Sequence, residues 1–466
     1  MRYGISVVLD LYWKDRPFRR THFSRDRRKD CLHQAYQTYP WLTSGECSLR
    51  VFVKTFGCEL NRADSEVIAE LLNCNSIGIT DSEGDADAVV VNTCTVREET
   101  ESKVLQYISS VRNKRVVATG CMAAAQPGLL RSIYPEISIV TINNLHDLVR
   151  ALRDRVVSVK KGGSYPAPAP FKSGVVHTIP ISRGCIGECS YCIARLARGG
   201  LSSTPPEVIL SIVESATSSG ALEIRLAAQD AGAYGLDIGH SLTSLLRLVA
   251  ALPYDFRIRV GMFKLSSVWA FFDELIDCYA SKKIYKFVHM PLQSGSDHVL
   301  SLMHRGYTVG MYLEAVKRMR SRFPAITLAT DIIVGYPGET EDDFKETCEV
   351  VEAITPDKIH ISRFTPRPHT PASLLEQVPE PVKKARSRIL ARKKISIQAS
   401  RNKKWIGREV EATILASRKG IGAIARTDEY KPVLLRGADC LALGSRHTLE
   451  ITGCSPFSLV GKVIRR

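Results

Sequence analysis

From residue 48 the chain alternates short apolar runs with longer amphipathic stretches. Val51-Phe52-Val53, Val89-Val90-Val91 and Val116-Val117-Ala118 read as strands, with helices expected over about 65–72 and 98–111. Short strands alternating with helices predict a parallel sheet, and the carboxyl ends of such strands open on a ligand crevice. A longer rhythm begins near residue 173. Strands are predicted at 177–182, 223–228, 257–260, 286–290, 327–334 and 358–363, with helices at 206–219, 241–251, 311–322 and 341–353. Six strands joined by right-handed crossovers make an open, partial (β/α)6 barrel. Residues 379–404 predict a basic helix that leaves this barrel, its prolines suiting a helix start. Beyond Trp405, five short β runs at 410–415, 422–426, 433–435, 447–451 and 459–464 predict a small β-barrel. The expected fold class is α/β, in five parts. These are an N-terminal extension (1–47), an N-terminal parallel α/β domain (48–157), a Gly/Pro-rich linker (158–172), the partial barrel (173–403) and the C-terminal β-barrel (404–466).

Composition narrows the function classes. The chain has 466 residues, 44% of them hydrophobic, which allows several cores. No apolar run has the length of a membrane span, and the run at Ile5–Leu9 is broken by Asp10, so neither a membrane segment nor an export signal is expected. Thirteen scattered cysteines without an export signal favour a reducing cytoplasm and metal ligation over disulfides. Charge is unevenly placed: residues 1–47 carry a net +4, residues 48–382 a net −2 and residues 383–466 a net +14. A positive field concentrated at one end of a chain suits a partner rich in phosphate, which points to nucleic acid. The basic run in 1–47 has no apolar periodicity and receives no chemistry; it reads as a mobile arm or as an extension from a misplaced start.

The candidate chemistry lies in cysteines. Cys185, Cys189 and Cys192 have the spacing C-x3-C-x2-C directly after the first predicted barrel strand. Three thiolates on one loop suit a four-iron cluster with one iron left open. The alternative is a zinc loop, which needs a fourth ligand; His177 is the histidine near in sequence, across a predicted strand. Cys58, Cys94 and Cys121 each fall just past the carboxyl end of a predicted strand in the N-terminal domain, which infers a second three-cysteine cluster site. Cys31, Cys47, Cys74, Cys278, Cys348, Cys440 and Cys454 lack such a setting and read as structural.

The C-x3-C-x2-C loop closely resembles that of the radical S-adenosylmethionine (SAM) enzymes, and the resemblance implies SAM on the open iron. Ala227–Asp230, His289–Ser296 and Gly335–Thr340 would share the barrel face that carries the loop. Arg198, Gln229, Pro291 and Gln293 are the candidate SAM contacts, Arg198 as a partner for the carboxylate.

Residues 48–466 as a whole resemble the methylthiotransferase family. The words that carry this are Thr55-x-Gly57-Cys58-x-x-Asn61-x-x-Asp64-Ser65-Glu66, Asn92-Thr93-Cys94-x-Val96, Gly120-Cys121-Met122-Ala123, the Cys185/Cys189/Cys192 loop, His289-x-Pro291-Leu292-Gln293-Ser294-Gly295-Ser296 and Asp331–Thr340. The resemblance implies two 4Fe-4S clusters, a radical SAM barrel and an RNA-binding TRAM barrel. It also implies the addition of a methylthio group to an unactivated C–H, with a reducing electron donor and a sulfur donor as partners. Ala197-Arg198-Gly199, Gln229–Gly235, Phe364–Pro368 and Thr370-Pro371-Ala372 look most like the branch acting on N6-threonylcarbamoyladenosine at position 37, in the tRNA anticodon stem-loop. Isopentenyladenosine in tRNA and an aspartate of a ribosomal protein are the alternative substrates. Two features depart from the branch: Phe263-Lys264-Leu265 stands where it usually has Thr-Asn-Pro, and residues 1–47 have no counterpart. The membrane tail of animal members of this branch is missing as well, so a soluble cytoplasmic protein is expected.

Overall fold

Ala88–Thr93 is buried along its whole length, the mark of a central strand covered on both faces. In the computed structural model it lies inside a six-stranded, fully parallel sheet. The strands are β1 (Arg50–Thr55), β2 (Gly78–Ile79), β3 (Ala88–Thr93), β4 (Arg115–Thr119), β5 (Ser138–Val140) and β6 (Val157–Ser158), in the order β2-β1-β3-β4-β5-β6. Side-chain alternation gives the sheet two cores. Val90, Val117 and Val140 pack with Val67, Ile68 and Leu72 of helix Glu59–Cys74. Val89, Val91, Val116 and Ile139 pack with Val104 and Ile108 of helix Glu98–Ser110 and with Leu130.

The structure describes residues 49–159, 167–418, 422–438 and 440–465. The N-terminal extension, with Cys31 and Cys47, and residues 160–166 of the expected linker lie outside them. The chain divides into two compact units between Ala169 and Pro170. Two described parts of the expected linker are ordered into the first unit: Ser158 pairs within β6, and Ala169 is buried in a core.

The second unit contains β7 (Val176–Pro180), β8 (Ser182–Arg183), β9 (Ser202–Ser203), β10 (Glu223–Ala227), β11 (Arg257–Val260), β12 (Phe287–His289), β13 (Thr327–Val334) and β14 (Lys358–Arg363). Two parallel three-stranded sheets, β7-β10-β11 and β12-β13-β14, meet through a parallel bridge between Ile258 and Ile284. This is the partial barrel. Ile224, Leu226, Ile258, Val260, Val288, Leu328, Ile332 and Ile359 join one core with residues of helices Pro206–Ser218, Leu242–Ala251, Val309–Arg322 and Glu341–Ile354. The alternate positions therefore line the inner face, and they are largely polar: Glu223, Arg225, Arg259, His289, Asp331, Lys358 and His360.

Helix Glu380–Lys403 leads to a closed barrel of β15 (Glu409–Arg418), β16 (Gly422–Thr427), β17 (Pro432–Arg436), β18 (Arg446–Cys454) and β19 (Leu459–Arg465). Its core holds Trp405, Ile414, Val433, Leu435, Leu449 and Ile451. The turn between β16 and β17 reaches the amino-terminal end of the partial barrel. Tyr430 packs its ring 4.9 Å from that of Tyr285 and 4.7 Å from that of Phe287, and its hydroxyl donates to Glu223 Oε1 at 3.2 Å. Asp428 takes the Lys286 amide through its carbonyl and Arg257 Nε through its carboxylate. The two barrels thus belong to one unit. Among the described residues, no helix is long and apolar enough to cross a membrane.

Candidate active site

In the first unit, register brings three cysteines to one rim. Thr55 is level with Asn92, and Asn92 with Thr119, across three adjacent strands. Cys58, Cys94 and Cys121 follow these positions by two or three residues. Buried amides tie the turns together. Asn61 Nδ2 donates to Asn92 Oδ1 (3.1 Å) and to the Thr93 carbonyl (2.9 Å). Asn92 Nδ2 donates back to the Asn61 carbonyl (2.6 Å) and to Ser65 Oγ (2.9 Å). Thr93 Oγ1 accepts from the Met122 and Ala123 amides. A Cβ on Gly57 would sit 2.9 Å from the Cys94 Cβ, so glycine lets the first two turns close on each other. Cys94 and Cys121 are buried, while Cys58 caps helix Glu59–Cys74 from an exposed position.

In the second unit, the loop from Gly184 to Cys192 lies at the carboxyl end of β7, the face where barrel chemistry sits. Gly184 has φ +73°, and a Cβ there would collide with Gly200, 1.8 Å from its carbonyl oxygen. Glycine at 187 keeps open the space between two thiols: a Cβ would stand 3.2 Å from Cys185 Sγ and 4.0 Å from Cys189 Sγ. The Gly187 amide donates to Cys185 Sγ at 3.2 Å. Ser190 docks the loop, donating to the Leu302 carbonyl (2.8 Å) and meeting the Tyr336 hydroxyl (2.8 Å). Three thiols on one loop, with glycine clearing the space beside two of them, suit a multinuclear cluster. Burial pushes the Cys185 and Cys192 thiols up, so ligation must release their protons.

The candidate SAM contacts meet different fates. Arg198, at the end of helix Ile193–Arg198, is 1% exposed and is not a surface arginine. Gln229 and Gln293 each bury a side-chain carbonyl oxygen that has no hydrogen-bond partner, which leaves both acceptors available to a ligand amine. Gln293 also holds φ +74°, a strained backbone for a non-glycine residue. The Pro291 carbonyl already accepts from Arg305 Nη2 (3.1 Å) and the Tyr307 hydroxyl (2.9 Å). Other polar positions on this face serve the scaffold. Ser294 and Ser296 bond Thr347 and Asp343 of helix Glu341–Ile354. Asp230 receives the Gly232 and Lys264 amides and the Ser267 hydroxyl, and burial pushes its carboxyl up. The Lys264 amide bond falls inside Phe263-Lys264-Leu265, where the sequence departs from its branch.

Arg305 was not anticipated. It is 5% exposed; Nη1 donates to Cys189 Sγ and to the Tyr191 hydroxyl, both at 3.2 Å, and Nε donates to the Tyr307 hydroxyl. Burial opposes its charge, but Tyr191, Tyr307 and Cys189 outweigh it, so the guanidinium stays charged beside the thiol loop. The available signal was the run Arg305-Gly306-Tyr307, which two residues separate from the end of helix Asp297–Leu302. Among the cysteines read as structural, Cys278 and Cys348 are buried, Cys74 and Cys454 are half-buried and Cys440 is exposed.

A parallel partial barrel with a three-thiol loop at the carboxyl end of its first strand defines a radical SAM enzyme. The profile of the Radical SAM superfamily matches residues 179–351, and that described as "Uncharacterized protein family UPF0004" matches residues 50–141. A probable threonylcarbamoyladenosine tRNA methylthiotransferase of Methanothermobacter thermautotrophicus is 38% identical over 83% of this chain and 93% of its own. One from Pyrococcus horikoshii is 39% identical with the same coverage, and the Homo sapiens enzyme is 35% identical over 74% of this chain and 62% of its own. Among solved structures, the radical SAM methyltransferase TsrM of Kitasatospora setae shares the fold, with a TM-score of 0.53 at 18% identity, over 70% of this chain and 74% of that one. The chain belongs to the radical SAM methylthiotransferase family, in the threonylcarbamoyladenosine tRNA methylthiotransferase branch.

Proposed function

We propose that this chain converts N6-threonylcarbamoyladenosine at position 37 of tRNA to its 2-methylthio derivative. What carries the reading is the pairing of two three-cysteine sites in a chain so close to its named relatives: one on a parallel strand rim, one on a barrel loop. Cys185, Cys189 and Cys192 would hold a 4Fe-4S cluster with one iron open to SAM, and Cys58, Cys94 and Cys121 a second. The adenine C2–H is neither acidic nor electrophilic, so side-chain acid–base groups alone do not activate it. When bound, SAM and the reduced cluster supply a carbon-centred radical able to remove such a hydrogen. The chain's own residues position and shield. Arg305 holds positive charge against Cys189 Sγ, Gln229 and Gln293 offer acceptors to SAM, and Tyr336 anchors the loop through Ser190 and an edge contact with the Tyr191 ring at 6.5 Å. The target base must leave its stack in the anticodon loop to enter a buried site. An electron donor is required by the radical SAM class, and a sulfur donor by the product. Among the described residues no cysteine forms a disulfide, in keeping with a reducing, cytoplasmic setting.

The test is mass spectrometry of nucleosides from tRNA bearing threonylcarbamoyladenosine, incubated anaerobically with reconstituted, reduced protein and SAM. A methylthio mass gain on that nucleoside is expected. Cys189→Ala should abolish deoxyadenosine formation, whereas Cys94→Ala should keep it and lose thiolation. Deoxyadenosine without a change in the tRNA would overturn the substrate and move it to isopentenyladenosine or a ribosomal-protein aspartate. Wild-type SAM cleavage in Cys189→Ala would overturn the loop's role.

A further inference from the structure

The inner face of the second half-barrel carries a group of residues that the proposed reaction leaves unused. His289 ends β12, Asp331 lies in β13 and His360 in β14. Asp331 is directly level with His360, and His289 is level with Ala329, one same-face step before Asp331. All three side chains therefore converge. His289 Nε2 lies 3.1 and 3.2 Å from the two Asp331 oxygens, and the His289 and His360 rings are 5.8 Å apart. One donor atom from each residue fits within 4.8 Å of the other two, and all three side chains are half-buried.

We propose that His289, Asp331 and His360 form a binding site for a divalent first-row metal, separate from both cysteine sets. Two imidazoles and one carboxylate on adjacent strands make a facial three-donor set with open positions. Such donors take Mn(II), Fe(II), Co(II) or Zn(II), whereas the cysteine sites select iron–sulfur clusters. The scaffold is rigid, because Ile359 and Leu328 pack into the main core on the opposite face of these strands. Arg259 and Lys358 line the same inner face, so the site holds its ion less tightly than an all-acidic one.

Mn(II) is the probe of choice, since thiolates bind it poorly and free Mn(II) has a six-line EPR signal. The full chain, with both clusters reconstituted and oxidised to their diamagnetic state, is stripped with a chelator and titrated. The expected result is loss of the free-ion signal up to about one Mn(II) per chain, with nitrogen modulation from two histidines in the pulsed spectrum. His360→Ala, and the nearly isosteric Asp331→Asn, should weaken binding about tenfold or more at unchanged iron and sulfide content. A free-ion signal that persists in the wild type, or binding that both variants retain, would overturn the site. Retained binding would place the ion elsewhere, for example in the cleft of about 410 Å³ lined by Asp297, Asp343, Glu346 and Glu349.

Discussion

Gly120 shows how one position sets the geometry of the rim. Its φ is +84°, and a Cβ there would lie 2.4 Å from Asn92 Oδ1 and 2.5 Å from the Thr93 carbonyl oxygen. Gly120→Ala therefore combines backbone strain with a clash against the amide that ties the three turns, and should cost about 1–3 kcal/mol. Calorimetry should show a lower melting temperature. Iron after reconstitution should fall by about half, because the barrel loop keeps its own share. Gly128→Ala is the control: nothing lies within 4 Å of the added methyl, and alanine favours its helix. Wild-type iron in Gly120→Ala would refute this account. The placement of the six cysteines, three past strand ends and three on one loop, was legible in the sequence because spacing and strand ends are local features. Asn61, Asn92 and Thr93 sat in the same motifs, but their roles were hidden. Their bonds join residues 31 and 32 apart, and only strand register decides those pairs. Arg305 was hidden for the same reason, its thiol partner lying 116 residues away.

Secondary elements were the most legible level, since their periodicity is local. β11, β13 and β14 fall at their expected ends, and the C-terminal strands within a few residues. What sequence did not reveal was how the C-terminal barrel joins the partial one. Asp357, just before β14, accepts Arg401 through Nε (2.9 Å) and Nη2 (3.0 Å) from helix Glu380–Lys403. It also accepts Lys431 Nζ (2.7 Å) from the turn that carries Tyr430. Burial would raise the Asp357 carboxyl, but Lys431 and Arg401 overcome it and hold the carboxyl below its usual range. The sign follows from linkage. A carboxyl lower in the folded state adds stability that is fully present above the unfolded value, about 3.9, and is lost as pH falls through the folded one. Asp357→Asn takes the carboxylate from the buried Lys431 and the half-buried Arg401 and should cost about 3 kcal/mol at pH 7. Urea unfolding of the full chain should show that gap narrowing below about pH 4. A gap that stays constant from pH 7 to pH 3 would mean the carboxylate charge is not what pins the two barrels.

At the scale of the whole molecule, the net +14 of residues 383–466 pointed to a phosphate-rich partner, and the structure shows that part of that charge is paired within the chain. Arg386 pairs with Glu339 and Glu341, Arg401 and Lys431 with Asp357, and Lys393 with Glu352. A sum over sequence cannot separate pairs made within the chain from a binding surface. Lys384, Arg388 and Arg392 do remain exposed, and their four-residue spacing sets them in a row along helix Glu380–Lys403. A row of this kind on a long helix suits successive phosphates of the proposed tRNA substrate. Each phosphate it neutralises releases counterions and adds roughly 0.7–0.9 to the slope of log affinity against log salt. Replacing all three with alanine should lower that slope by about 2–3 and weaken tRNA binding most at low salt. Binding by filter retention across a salt series reads both quantities. Because these side chains are exposed, the variant should keep its melting temperature and its iron content. A slope that does not change would remove this helix face from the tRNA path and leave the C-terminal barrel as the remaining basic surface.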